Sequence, residues 1–193
     1  TEIYTLSLHD ALPICECRDS FMFGLSRDTL RLKSKHVERK TMCGIFGIVM
    51  EKEQPLGTIL AEAAQRLTYR GYDSVGAATI SGDKVDLRKD VGRVKDVAVK
   101  YNFAEMSGAR GITQLRWATF GEPSQVNAQP HLDSDGDIVG AHNGNVVNNV
   151  ELRQLFLNEG LTVRSMNDGE SCVHAVERYV NREIGRASCR ERV

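Results

Sequence analysis

Proline, aromatic residues and long apolar runs are all scarce in this chain. Four prolines, one tryptophan and 6% aromatics in 193 residues, beside 17 glycines and 26% charged residues, leave an ordinary globular composition. That composition argues against a disordered, collagen-like or repeat protein. No apolar run approaches the roughly 20 residues of a membrane helix, so no membrane partner is expected. Charge of one sign is also missing: the net charge is -1, which gives no reason to expect nucleic acid or an anionic membrane as partner. The N-terminus lacks the charged-then-apolar pattern of a secretory leader. Cytoplasm is therefore the expected compartment, with reduced thiols.

The five cysteines, Cys15, Cys17, Cys43, Cys172 and Cys189, are odd in number and unevenly spaced, so they do not suggest a disulfide framework. Cys15 and Cys17 form a lone CxC. No second pair or His cluster follows at ligand spacing, so neither a metal nor another cofactor is expected. Residues 15–41 hold seven Lys or Arg against four Asp or Glu. With only Phe21 and Phe23 as aromatics and no long basic block, this stretch reads as a solvated tail rather than a nucleic-acid arm.

Both ends look foreign. Residues 1–14 and 183–193 resemble translated DNA-sequencing adapter. A stretch of adapter DNA that encodes residues 5–14 encodes residues 184–193 on its opposite strand in another frame. Two unrelated protein ends should not be reverse complements, so both are set aside from fold reasoning as artefact. Residues 15–41 then read as a translated upstream region or a disordered extension, Met42 as the start, and residues 42–182 as a partial domain that should continue past Arg182.

Within 42–182 the apolar run CGIFGIVM (43–50) predicts a buried strand. Leu56, Ile59, Leu60, Ala63, Ala64 and Leu67 fall at helical spacing. Residues 75–80 and 84–88 read as strands around a Ser81, Gly82, Asp83 turn. Residues 91–101 predict a helix with Val94, Val97, Ala98 and Tyr101 on one face. Residues 111–117 and 137–142 read as strands, with a polar loop at 121–131 between them. A helix is expected at 149–159, facing inward through Val150, Leu152, Leu155 and Phe156 and ended by Gly160. Residues 161–164 read as a short strand. The last helix, 169–180, should turn Cys172, Val173, Val176 and Tyr179 inward. The mixture is α with β, and a simple alternating doubly wound sheet fits it poorly.

Several residues carry candidate chemistry. Cys43 follows Met42; were Met42 removed, it would offer a thiol and a free α-amino group together. That amine titrates near pH ~8 and can act as a general base, so one residue would supply nucleophile and base. Small Gly44 suits methionine removal and access to the sulfur. The alternative is a buried cysteine in an apolar strand. In HNGN (142–145), the Asn143 amide and the Gly144 N–H could form an oxyanion hole, or the pair could be only a turn. In RWATFGEPS (116–124), Arg116 can fork a carboxylate, Thr119 offers a hydroxyl, and Gly121 with Pro123 suggests a shaped loop; Arg116 could equally be solvated beside a packed Trp117. Asp168 could receive a substrate ammonium or cap a helix. Arg70 and Asp73 in YRGYDS could form an ion pair at a turn.

MCGIFGI, YRGYDSVG, RWATFGEPSQVNAQPH and HNGNVVN, in this order, resemble the glutaminase domain of the class II glutamine amidotransferases, the N-terminal-nucleophile group. YRGYDS and the RWAT, GEPS, VNA and PH strings are most similar to the glutamine–fructose-6-phosphate aminotransferases. The resemblance implies a four-layer αββα sandwich, here truncated on its C-terminal side. It implies that Cys43 attacks the glutamine side-chain amide and forms a thioester, with Asn143 and Gly144 holding the oxyanion. It further implies that Arg116 takes the α-carboxylate and Asp168 the α-ammonium. Trp117 and Thr119 belong to a loop that closes over glutamine, and Arg70 and His131 support the site. Ammonia would pass to fructose 6-phosphate in a C-terminal isomerase domain that these 193 residues lack, giving glucosamine 6-phosphate, and the full-length protein would be a homodimer. The family usually has His where Phe120 and Gln129 stand. MNDGES replaces the usual string around Asp168. HNGNVVN and NAQP lean toward amidophosphoribosyltransferases, and a non-catalytic glutamine-binding relative is a further alternative. With residues ahead of Cys43 its amine is blocked, so the chain as written should be inactive.

Overall fold

The computed structural model describes residues 43–118 and 121–190, with backbone only for 182–190. Strand β1 (Gly44–Pro55) is followed by helix α1 (Gly57–Arg66), the hairpin β2 (Ser74–Ser81) and β3 (Lys84–Val91), helix α2 (Val94–Lys100) and a 3-10 turn at Phe103–Glu105. Then come β4 (Ser107–Arg116), the short strands β5 (His131–Leu132) and β6 (Val139–Gly140), and helices α3 (Asn149–Asn158) and α4 (Asp168–Arg190).

The main sheet is antiparallel in the order β1-β4-β2-β3, and β5 pairs with β6 in a second sheet. Helices α1 and α2 cover one face of the main sheet. Leu56, Leu60 and Ala64 meet Val75, Ala77 and Leu115 there, with Val94, Val97, Phe103 and Met106 closing the core. The segment before β5 lies against the other face. A Cβ on Gly76 would sit 2.2 Å from the Gln129 carbonyl oxygen, so only glycine lets the backbones approach this closely. Helix α4 packs on β5 and β6, with Val173 against Gly140. The order helix, sheet, sheet, helix gives the expected α+β four-layer arrangement, with the second sheet reduced to two strands.

Four local expectations are corrected. The strand at 43–50 runs on to Pro55 across a register shift and is an edge strand, so Val49 is exposed rather than buried. Residues 161–164 form no strand. Side chains take their amides instead: Thr162 N–H donates to Ser134 Oγ and Arg164 N–H to Glu170 Oε1. Helix α3 buries only Phe156 of its predicted face, while Val150 is 77% exposed. Helix α4 turns Ser171, His174 and Glu177 inward with Val173, and leaves Val176 and Tyr179 exposed. A polar row at helical spacing reads as a solvent face, but here each charge meets a partner inside. Among the described residues no helix is long and apolar enough to cross a membrane.

Candidate active site

The register Gly44↔Leu115 and Ser74↔Arg116 brings the start of β1 level with the start of β2 and the end of β4. Cys43 lies one step before Gly44, so the sheet itself carries it to Arg116 and Trp117. The Trp117 N–H donates to Cys43 Sγ at 3.2 Å, and the thiol lies 3.6 Å from the Trp117 carbonyl oxygen. Arg70 Nε donates to the Cys43 carbonyl at 3.3 Å, and Asn143 Nδ2 donates to the same oxygen. Two candidate residues from distant motifs thus meet on the backbone of the candidate nucleophile.

The YRGYDS turn shapes this corner. A Cβ on Gly71 would lie 2.9 Å from the Arg116 carbonyl group, so glycine alone permits the contact. Asp73 N–H donates to the Arg116 carbonyl at 3.2 Å, and Asp73 Oδ2 accepts the Ala118 N–H at 2.8 Å. Arg70 and Asp73 therefore serve different partners on the two sides of the turn. Tyr72 packs edge-on against the Trp117 ring, with centroids 5.3 Å apart.

Arg116 is 1% exposed, and its guanidinium donates to the Gly121 carbonyl at 2.9 Å. Burial pulls its pKa down, while Cys43, Asp73 and Asp168 act on it in the opposite direction. The site therefore joins one buried cation to the nucleophile and two carboxylates. Gly121 takes a φ of 73°, a conformation open to glycine.

Asp168 is buried at the start of α4, and its Oδ2 accepts the Val146 N–H at 2.8 Å. The helix cap is Asn167: its Oδ1 accepts the Gly169 N–H at 2.9 Å. His131 Nε2 lies 3.1 Å from that same Oδ1. An amide oxygen can only accept, so His131 donates to it through Nε2. Burial, with Lys89 nearby, holds the His131 pKa well below its ordinary value, so the ring is neutral. His131 thus braces the residue before Asp168 and makes no hydrogen bond to Cys43. Gly144 has a φ of 151°, which favours glycine. Thr119 and Phe120 lie outside the described residues.

Four residues were not singled out from the sequence for these roles: Asp73, Tyr72, Asn127 and Gln129. Asn127 links the loop to the approach to α4, donating to the Glu122 carbonyl and accepting the Met166 N–H. Gln129 Nε2 donates to the His142 carbonyl at 3.0 Å, and its Oε1 accepts the His142 N–H at 2.7 Å. A cavity of about 310 Å³ elsewhere is lined by Lys89, His131, Arg164 and Glu170 among others, without Cys43. Among the described residues no group of three or more His, Cys, Asp or Glu side chains is arranged to hold a metal ion.

The glutamine amidotransferase domain family matches residues 115–190. A glutamine–fructose-6-phosphate aminotransferase (isomerizing) of Pyrobaculum aerophilum is 44% identical over 140 residues, covering 72% of this chain and 23% of that protein. The protein of the same name from Vibrio parahaemolyticus is 42% identical over 137 residues, covering 70% and 22%. The chain therefore spans about a quarter of the length of these curated relatives. Among solved structures, the glutamine phosphoribosylpyrophosphate amidotransferase of B. subtilis, complexed with ADP and GMP, is similar with a TM-score of 0.57 and 29% identity. That match covers 69% of this chain and 29% of the other. A structure described as the allosteric regulatory enzyme of purine biosynthesis gives 0.59 and 28%, with the same coverages. With the motifs of Cys43, Arg116 and Asn143 gathered at one corner of the sheet, residues 115–190 match the glutamine amidotransferase domain family and the chain is similar to amidotransferases over about 140 residues.

Proposed function

We propose that residues 42–182 are the glutaminase part of a glutamine–fructose-6-phosphate aminotransferase, which supplies ammonia for glucosamine 6-phosphate synthesis. The observation that carries this reading is the meeting of Trp117 N–H at the Cys43 sulfur with Asn143 and Arg70 at the Cys43 carbonyl. The acceptor rests on the similarity to aminotransferases of that name.

The nucleophile needs a base. With Met42 removed, the Cys43 amine takes the thiol proton, and the sulfur attacks the side-chain carbonyl of glutamine. The Asn143 amide, turned from the Cys43 carbonyl to the new oxyanion, and the Gly144 N–H hold the tetrahedral intermediate. Its C–N bond then breaks, the nitrogen takes the proton from the ammonium, and ammonia leaves a glutamyl thioester. Water attacks the thioester and releases glutamate and the thiol. Arg116 holds the substrate α-carboxylate, Asp168 its α-ammonium, and Trp117 and Thr119 belong to the closing loop. Here Cys43 carries a peptide bond to Met42, which blocks the amine, so the 193-residue chain is inactive on this reading.

A phosphoribosyl acceptor is the second reading, favoured by the NAQP string around Gln129 and the similarity to the phosphoribosylpyrophosphate amidotransferase. Both readings share the glutaminase step. The test compares the chain beginning at Cys43 with the 193-residue chain, using an electrophilic norleucine analogue of glutamine. Label on Cys43 in the first and no glutamine hydrolysis by the second is the expected result. Equal labelling of Cys43→Ala overturns the reading.

A further inference from the structure

We propose that Gln129 is a positioning residue for the oxyanion arm, carrying the β5–β6 ladder one rung beyond its backbone end and so fixing where Asn143 and Gly144 point. The proposal rests on the glutaminase reading for its functional half and on the sheet register for its structural half.

The second sheet pairs His131↔Gly140 and Leu132↔Val139. Continued in the same register, Gln129 falls opposite His142. In an antiparallel ladder, every second pair exchanges both N–H···O=C bonds. The Asp133 N–H donates to the Ile138 carbonyl at 3.0 Å, which puts that pair in the bonded set. Counting by two from there, Gln129 and His142 would form the next bonded pair if the ladder ran on past His131.

The backbone of Gln129 cannot fill the rung, because its carbonyl is turned against Gly76 on the main sheet. The side chain fills it instead. A primary amide carries an acceptor oxygen and, on the same side, an N–H donor, and Gln129 uses both on His142, at 2.7 and 3.0 Å. Gln129 is 3% exposed. A Cβ on Gly169 would lie 2.9 Å from its Oε1, so the glycine at the start of α4 makes room for the amide.

This matters for chemistry because His142 is followed directly by Asn143 and Gly144. Beyond the arm, Asp168 fixes Val146. Gln129 and Asp168 therefore clamp the two sides of the Asn143–Gly144 pair, one through a carboxamide and one through a carboxylate. A lost rung frees the arm on the Gln129 side while the Asp168 side stays held.

The test is residue-resolved amide hydrogen exchange on the 193-residue chain, with Gln129→Leu and Gln129→Glu. In Gln129→Leu the His142 N–H should exchange at least ten-fold faster, with the Val146 N–H unchanged as the internal control. Gln129→Glu keeps an acceptor and should retain most of the His142 protection. On chains beginning at Cys43, Gln129→Leu should lower the maximal rate of labelling by the glutamine analogue by ten-fold or more, with little change in the concentration giving half-maximal rate, and Gln129→Glu should recover most of that loss. A plain packing defect would speed exchange at His142 and Val146 together, and that result overturns the proposal. So does unchanged exchange at His142 in Gln129→Leu, or labelling of Gln129→Leu at the parent rate. If Gln129→Leu frees His142 alone while the parent chain beginning at Cys43 takes no label, the rung stands and the glutaminase reading falls.

Discussion

The backbone amide of Trp117 points at the sulfur of Cys43 from 3.2 Å. The two residues are 74 positions apart and meet because β1 and β4 are neighbours in the sheet. The N–H of Trp117 is free for the sulfur because β4 has just ended at Arg116. A strand one residue longer would draw that donor into the ladder. The position of the amide is set by the turn beneath it, where Gly71 lies against the Arg116–Trp117 peptide.

Gly71→Ala should therefore act at a distance. Its Cβ would fall 2.9 Å from the Arg116 carbonyl carbon and oxygen and 3.0 Å from the Trp117 nitrogen. Backbone on both sides has to shift, at a cost of about 1–3 kcal/mol. The expected outcome is a lower midpoint of chemical unfolding together with a labelling rate at Cys43 reduced by about ten-fold. Parent-like labelling in a folded Gly71→Ala chain would show that the peptide contact does not place the amide.

The parts of the site that were legible in the sequence carry rare side chains in short strings: Cys43, Arg116 and Asn143. Their convergence on one corner follows from strand order, which no local pattern contains. The β2–β3 hairpin and α1 were legible because apolar spacing and a Gly82 turn are local signals. Helix α4 was not. Its buried face holds Glu170, His174 and Glu177, and a polar row of that period reads as solvent-facing until its partners are known. The face of helix α3 was misread in the opposite sense, because Val150 has the spacing of a core residue but lies exposed. Residues 161–164 have strand-like composition, but Ser134 and Glu170 take the amides that a neighbouring strand would use. Gln129 looked like a departure from the family pattern; only the register against His142 gives it a role.

Lys89 staples the segment that carries Gln129. Its ammonium donates to the carbonyls of Ala128 at 2.6 Å, Pro130 at 2.9 Å and Val126 at 3.3 Å. Burial pulls its pKa down to about 8, so it is still mainly charged at pH 7. Replacing it with Met keeps the length and removes all three donors. Lys89→Met should cost about 1–3 kcal/mol of stability at pH 7, read by urea denaturation. Exchange of the amides around 126–130 should rise more than exchange in β2 and β4. A variant as stable as the parent would mean that water satisfies these carbonyls and the staple contributes little.

The buried face of α4 predicts how stability depends on pH. His174 Nδ1 lies 2.7 Å from Glu177 Oε2, and Nε2 lies 3.8 Å from Glu170 Oε1, an ion-pair distance rather than a hydrogen bond. Burial pulls the His174 pKa down, but the two carboxylates raise it by more, and the net shift is upward. Burial raises the pKa of Glu170 and Glu177, while His174 and neighbouring donors lower both by more. The signs follow by linkage. The His174 contribution is fully present below its unfolded value near ~6.5 and fades as pH rises through its higher folded value. The glutamate contributions are present above their unfolded values near ~4.3 and fade as pH falls through their lower folded values. Stability should therefore fall on both sides of a maximum between about pH 5 and 6.5. In His174→Gln the amide can keep the Glu177 contact but carries no charge. That variant should lose about 2 kcal/mol at pH 6, lose the decline above pH 6.5, and show a shallower acid decline, because without the shared cation the folded pKa values of the two buried carboxylates rise toward their unfolded ones. Urea denaturation across pH 4 to 9 for both chains decides it: an unchanged decline above pH 6.5 in His174→Gln would assign that limb to some other group.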